Sequence, residues 1–264
     1  MQAIGERING MFRSIGRAIG GHDKQVIQDC ARTQLEAGGD VLDVNVGPAA
    51  ADEEAAMAWL VETIREVTDA PLCLDSTKPA VIRAGLEVCT GEKIINSTTG
   101  VPEKMAEMLP LAAEYSCPIV GLCIDADGVP RDAEGRMEIA LSLVAACMEH
   151  GIPTDHLYID AVILPVNALQ HVPPEVCRAI GMVSALADPP PKTILGLSNV
   201  SQGAAQRELL NRTFLVMALA HGLDAAIVDV TDQELMEAMI TAEVLLNRQV
   251  YCDDFVSAYL ASRR

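Results

Sequence analysis

Short apolar runs alternate with longer amphipathic stretches along the whole chain. Ala3 to Asn9 reads as a first strand, Val41 to Val46 as a second and Leu72 to Thr77 as a third. Ile94 to Thr98, Pro118 to Ile124, Leu157 to Asp160, Ile194 to Leu197 and Ala225 to Asp229 complete the series. Between them lie helical patterns. One runs from about Asp23 to Ala37 and stops at Gly38-Gly39; another runs from about Asp52 to Val67 with Met57, Leu60, Val61 and Ile64 on one face. Pro79 opens the next, and a further helix spans Pro102 to Tyr115. The one after that is expected to bury Met137, Leu141, Val144 and Met148. Later helices start near Pro174 and Arg207, and Thr231-Asp-Gln-Glu234 reads as a capping box for the last long helix.

About eight strand–helix units at roughly thirty-residue spacing fit a (β/α)₈ TIM barrel of the α/β class. No linker or low-complexity segment interrupts the pattern, so one domain is expected over residues 1–264. A doubly wound open sheet should carry a G-x-G-x-x-G loop after its first strand, and Gly5-Glu-Arg-Ile-Asn-Gly10 lacks that spacing.

Composition agrees. Half the residues are hydrophobic but only 3% are aromatic, so the core must be aliphatic, as in parallel strands covered by helices. A net charge of −18 argues against nucleic acid and anionic membrane surfaces as partners. No apolar run is long enough to span a bilayer, and Met1 to Arg7 lacks a signal-peptide core. The eight cysteines form no C-x-x-C pair and are expected as free thiols in a reducing cytoplasm. The five histidines form no H-x-H or H-x-x-x-H pair, so no protein-bound metal is expected.

Barrel active sites lie at the C-terminal ends of the strands. Read in order, those ends are Asn9, Asn45, Asp75, Asn96, Asp125, Asp160, Asn199 and Asp229. Any one of them could simply cap the helix that follows. As a ring of carboxylates and amides without lysine or histidine, they disfavour Schiff-base and metal-dependent aldolase chemistry. A carboxylate can accept the paired N–H donors of a 2-amino-4-oxo-pyrimidine edge, and amides can serve its carbonyl and ring nitrogens. A neutral, guanine-like heterocycle such as a pterin fits; a sugar is the competitor, although sugar sites add aromatic platforms that are scarce here.

Several motifs in order extend this reading. They are Ile4-Gly-Glu-Arg-Ile-Asn-Gly-Met-Phe12, Leu42-Asp-Val-Asn-Val-Gly-Pro48, Leu72-Cys-Leu-Asp-Ser-Thr77, Ile95-Asn-Ser97 and Tyr158-Ile-Asp160. Ile163-Leu-Pro165, Leu195-Gly-Leu-Ser-Asn-Val-Ser-Gln202, Leu210-Asn-Arg-Thr-Phe214 and Val250-Tyr-Cys-Asp253 follow. Through them the chain resembles, over essentially its whole length, the methyltetrahydrofolate:corrinoid methyltransferases, including the type that serves a corrinoid iron–sulfur protein. The resemblance implies a folate-binding barrel, usually a homodimer, with tetrahydrofolate or 5-methyltetrahydrofolate as substrate. It places pterin contacts on Asp75, Asn96 and Asp160, and Asn199 beside the pterin N5. Gly196, Ser198, Gln202 and Arg207 match positions near the ligand.

The cobalamin-binding motif D-x-H-x-x-G is absent, so the corrinoid is expected on a separate partner protein. The implied reaction moves a methyl group between N5 and the cobalt of that corrinoid, in either direction. Asn199 is expected to hydrogen-bond N5 most strongly in the transition state, with Asp160 or Asp75 ordering a water. Dihydropteroate synthase, on a related barrel, and a non-catalytic folate binder are the alternatives; the former holds a pyrophosphate group with strand-end Lys and Arg, which the ring lacks.

Overall fold

A computed structural model describes residues 1–262. Eight parallel strands close into a barrel in sequence order, each hydrogen-bonded to the next and the last to the first. The strands are β1 (Gln2–Asn9), β2 (Val41–Asn45), β3 (Leu72–Asp75), β4 (Lys93–Thr99), β5 (Ile119–Leu122), β6 (Leu157–Asp160), β7 (Lys192–Gly196) and β8 (Ala225–Val228). The helices are α1 (Arg13–Gly21), α2 (Lys24–Glu36), α3 (Glu53–Arg65), α4 (Pro79–Val88), α5 (Pro102–Glu114), α6 (Ala133–Glu149), α7 (Val172–Val183), α8 (Arg207–Ala220), α9 (Gln233–Leu245) and α10 (Phe255–Ser262).

The strands read as nearly continuous apolar runs because both their faces are buried. Leu42, Val44, Leu72, Leu74, Ile95, Ile119 and Leu195 belong to the main core under the helices. The alternate residues face inward. Ile4, Val41, Cys73, Ile94, Val120, Tyr158, Ile194 and Ala225, one from each strand, form a separate apolar plug. Two residues further along each strand the period of two brings the next inward layer. That layer is Glu6, Asp43, Asp75, Asn96, Leu122, Asp160, Gly196 and Ile227. Apolar side chains thus seal the barrel, and polar ones stand on top of the seal.

The helices start where side chains can satisfy their free N–H groups. Asp23, Asp52, Asp132 and Asp232 cap α2, α3, α6 and α9 by accepting from the third residue on. The cap of α9 is therefore Asp232, one residue later than the expected Thr231 capping box. The α3 face is as expected, with Met57, Leu60, Val61 and Ile64 all fully buried. The α6 face is corrected: Met137 and Val144 are buried, but Leu141 is 54% and Met148 62% exposed. Its true inner stripe includes Arg136, Ala140, Leu143 and Cys147. Two helices, α1 and α10, were not anticipated. All eight cysteines are free thiols, six of them buried. Among the described residues no helix is long and apolar enough to cross a membrane.

Candidate functional site

A cavity of about 780 Å³ opens at the C-terminal end of the barrel. Its floor is the polar inward layer described above, and its rim comes from the loops after β1, β7 and β8. Asp75, Asn96, Asp160, Gly196, Ser198, Asn199 and Arg207 all line it, as do Asn9 and Asp229 from the strand-end ring. Asn45 sits just behind, donating through Nδ2 to Asp75 Oδ2 at 2.5 Å while its Oδ1 accepts from Gly47 N at 2.7 Å.

Two further expected residues lie away from this cavity. Asp125 lies beyond the end of β5 in a tight loop bridged to Gly128, and it lines a different surface cavity. The chain turns away once β5 ends at Leu122, so Leu122 takes the inward place. Gln202 is exposed at the end of the 3₁₀ turn Leu197–Ser201 and is not among the residues lining the cavity.

Asp43, Glu6 and Arg7 are among the lining residues that the sequence does not point to. Asp43 lies in the middle of β2, where it faces inward and is 3% exposed. Asn96 Nδ2 donates to Asp43 Oδ1 at 3.4 Å. Glu6 and Arg7 both reach the cavity because β1 carries one extra residue between its Gly5 and Ile8 pairings with β2. The fully buried Gln34 accepts from the Arg7 backbone N–H at 2.8 Å and holds this bulge. A Cβ on Gly5 would meet Gln34 Oε1 at 2.5 Å, so a larger residue there would push the Gln34 amide off its bond to Arg7. An extra residue of this kind breaks the period of two, which is the signal that sequence reading follows.

Asn199 stands on the 3₁₀ turn after β7. A Cβ on Gly196 would lie 3.1 Å from Asn199 Nδ2, so the glycine gives the amide its place. The turn is held from both sides. Ser198 Oγ lies 2.9 and 2.8 Å from the two Glu6 oxygens. Arg207 donates through Nε to Ser201 Oγ at 3.2 Å and through Nη2 to Ser198 O at 3.4 Å. Across the mouth, Arg7 pairs with Asp229 at 3.2 Å and lies 4.5 Å from the centre of the Phe12 ring.

Burial dominates the electrostatics of the floor. It pushes Asp160 up to about 6, although hydrogen bonds from the backbone of Val162 and Gly196 pull the other way. Val162 N donates to Asp160 Oδ1 at 2.7 Å. Burial, reinforced by the Asp75 charge, holds Asp43 well above the usual carboxylate range. Asp75 is raised by burial and relieved by Asn45. Glu6 is raised by burial and relieved first by Ser198. The arrangement offers buried carboxylates and amides to a flat N–H-rich ligand, with one free amide above them. Among the described residues no group of three or more His, Cys, Asp and Glu side chains is placed to hold a metal ion.

Residues 15–229 match the family model of the pterin binding enzymes. A methylcorrinoid:tetrahydrofolate methyltransferase of Eubacterium limosum is 28% identical over 98% of this chain and 96% of its own length. Methionine synthase of Mycobacterium tuberculosis is 33% identical over 85% of this chain, which spans only 20% of that protein. Among solved structures, Xanthomonas albilineans dihydropteroate synthase in complex with 7,8-dihydropteroate aligns with a TM-score of 0.67 at 18% identity, covering 95% of this chain and 94% of the other. Yersinia pestis dihydropteroate synthase gives 0.65 at 17% identity, covering 93% of each. At those identities the structural likeness speaks to the fold alone.

Proposed function

The chain belongs to the pterin binding enzymes, and from that premise we propose that it is a methyltransferase acting between tetrahydrofolate N5 and the cobalt of a corrinoid on a separate protein. We propose the direction from methylcorrinoid to tetrahydrofolate, for which the nearly full-length Eubacterium limosum relative is named. The observation that carries the reading is the placement of the Asn199 amide beside Gly196, above a floor of Asp75, Asn96 and Asp160.

In this reading the pterin lies in the cavity with its 2-amino and ring N–H donors on Asp160 and Asp75. Asp75 Oδ2 is taken by Asn45, and among the described residues its other oxygen has no partner. Asn96, held by Asp43, serves the remaining ring atoms. Asn199, whose side chain makes no hydrogen bond among the described residues, meets N5 as its charge changes. The corrinoid is a substrate carried by a partner that docks over the mouth, and we propose that the chain works as a homodimer, as the sequence resemblance implies. The dihydropteroate synthase alternative requires cations for a pyrophosphate. The cavity lining holds Arg7 and Arg207, but one is paired with Asp229 and the other clamps the 3₁₀ turn.

Mixing the protein with 5-methyltetrahydrofolate and free cob(I)alamin, or tetrahydrofolate and methylcobalamin, should change the cobalt spectrum. Asn199→Ala should lose about 10²–10³ in single-turnover rate, the usual cost of one preorganised donor, while folate affinity changes far less. No spectral change in either direction would refute the function. Equal losses of rate and affinity in Asn199→Ala would make Asn199 a binding residue only.

A further inference from the structure

Methylating a secondary amine at N5 leaves one proton to be removed. The side chains assigned to the pterin are committed in that reading: Asn199 is an amide, and Asp75 and Asp160, each with one oxygen already bonded to Asn45 or to the Val162 backbone, turn toward the 2-amino and ring N–H donors. Another carboxylate stands in the same cavity. Glu6, in the β1 bulge, has both oxygens within hydrogen-bond distance of Ser198 Oγ, at 2.9 and 2.8 Å. Ser198 immediately precedes Asn199 on the 3₁₀ turn. A single hydroxyl proton serves only one of the two oxygens at a time, so the carboxylate keeps capacity for another proton.

Resting on the methyl transfer proposed above, we propose that Glu6 is the terminal acceptor of the N5 proton, reached through the Ser198 hydroxyl. The N5 lone pair forms the new nitrogen–carbon bond, and the cobalt–carbon bond breaks with its electron pair left on cobalt. The N5 proton passes to Ser198 Oγ as the Ser198 proton passes to Glu6. In the reverse direction protonated Glu6 returns the proton to N5, which makes the amine a better leaving group.

The groups around Glu6 suit both states. Burial pushes the carboxyl up, the Ser198 hydrogen bond pulls it back, and Asp229 beyond β8 raises it again. Arg7 on the same strand and Arg207 on α8 pull it down. Asp43 on β2 also faces it. A carboxyl lifted above its ordinary value can take and give a proton closer to neutrality.

The test is single-turnover transfer in both directions, with free cobalamin as the corrinoid, from about pH 5 to 9, beside equilibrium binding of tetrahydrofolate. The wild-type rate should fall on the acid side when folate is methylated and on the alkaline side in reverse. Both limbs should centre on one pKa above the ordinary carboxylate range. Glu6→Gln should lose roughly 10²–10⁴ in rate, lack both limbs, and bind tetrahydrofolate within about threefold of wild type. Glu6→Asp should keep the limbs at a reduced rate, and Ser198→Ala should lose rate as Glu6→Gln does. These two variants carry the test if Glu6→Gln does not fold. A Glu6→Gln enzyme that turns over normally, keeps both limbs, or loses affinity as much as rate overturns the proton route. Wild-type protein that binds folate but transfers no methyl group either way overturns the function and the route together.

Discussion

In the proposed pterin contact Asp160 has to be charged to accept N–H donors, yet it lies in a place that disfavours charge. It is 8% exposed, and burial lifts it to about 6. Only its ionised form can accept from both pterin donors. Folate affinity should therefore be flat above about pH 7 and fall tenfold per unit below about 6. Asp160→Ala should weaken binding by about 1.5–3 kcal/mol at pH 7.5 and remove the part of the pH dependence centred near 6. Calorimetric titration at several pH values checks both; a wild-type affinity independent of pH from 5 to 7 would remove the carboxylate from pterin recognition. Asp75, Asn96 and Asp160 were legible in the sequence because each ends an apolar run, where a barrel exposes its strands. Asp43 and Glu6 were not, because one sits mid-strand, disguised as ordinary alternation, and the other sits in a bulge that only the β1–β2 pairing defines. Gln202 shows the converse: it continues a motif along the chain, but the 3₁₀ turn carries it out of the cavity.

The β1–α1 connection decides how closely the site can be built. Gly10 N donates to Asn45 O at 2.9 Å, prolonging the β1–β2 ladder beside the site. A Cβ on Gly10 would lie 1.8 Å from Val46 O, a backbone atom that cannot yield without moving the end of β2. Gly10→Ala should therefore cost about 3 kcal/mol or more, and it should disturb Asn45 and its partner Asp75. Gly21, the last residue of α1, has nothing within 4 Å of its Cβ position. Gly21→Ala should stabilise by about 0.4–1 kcal/mol through the unfolded state. Urea unfolding of the two variants separates close approach from mere flexibility, and similar effects at both positions would contradict this account. The strands and most helices were legible because each element's pattern runs several turns or residues. Helix α1 was hidden by Gly16, Gly20 and Gly21, which lower helix propensity, although Ile15, Ala18 and Ile19 pack inward. On α6, Leu141 and Met148 mimic an apolar stripe while the buried face includes Arg136, whose Nε donates to Ala161 O at 2.7 Å beside Asp160. No apolar periodicity reveals a buried cation.

Across the whole molecule the same carboxylates set a trade between stability and function. Glu6, Asp43, Asp75 and Asp160 are all raised by burial. A carboxyl whose folded value is raised costs nothing while both states are protonated, below its unfolded value. The cost appears as pH rises through the folded value. For Asp160, moving from 3.8 to about 6, it grows between about pH 4 and 6 and reaches about 3 kcal/mol. The other three add in the same direction, and self-repulsion from a net charge of −18 does too. Ligand-free protein should thus lose stability as pH rises from about 4 to 6, unlike a protein whose carboxylates are stabilised by folding. In the proposed reading folate supplies the donors that the ionised floor lacks, and at a hundred times its Kd it should restore about 2.7 kcal/mol at pH 7.5. Asp160→Asn should recover part of the loss without ligand and respond least to added folate, exchanging function for stability. Denaturant titrations of wild type and Asp160→Asn, with and without tetrahydrofolate, measure all of this. Ligand-free stability that is flat or rises over that range, with Asp160→Asn unfolding as wild type does, would mean that the floor is already neutralised from within.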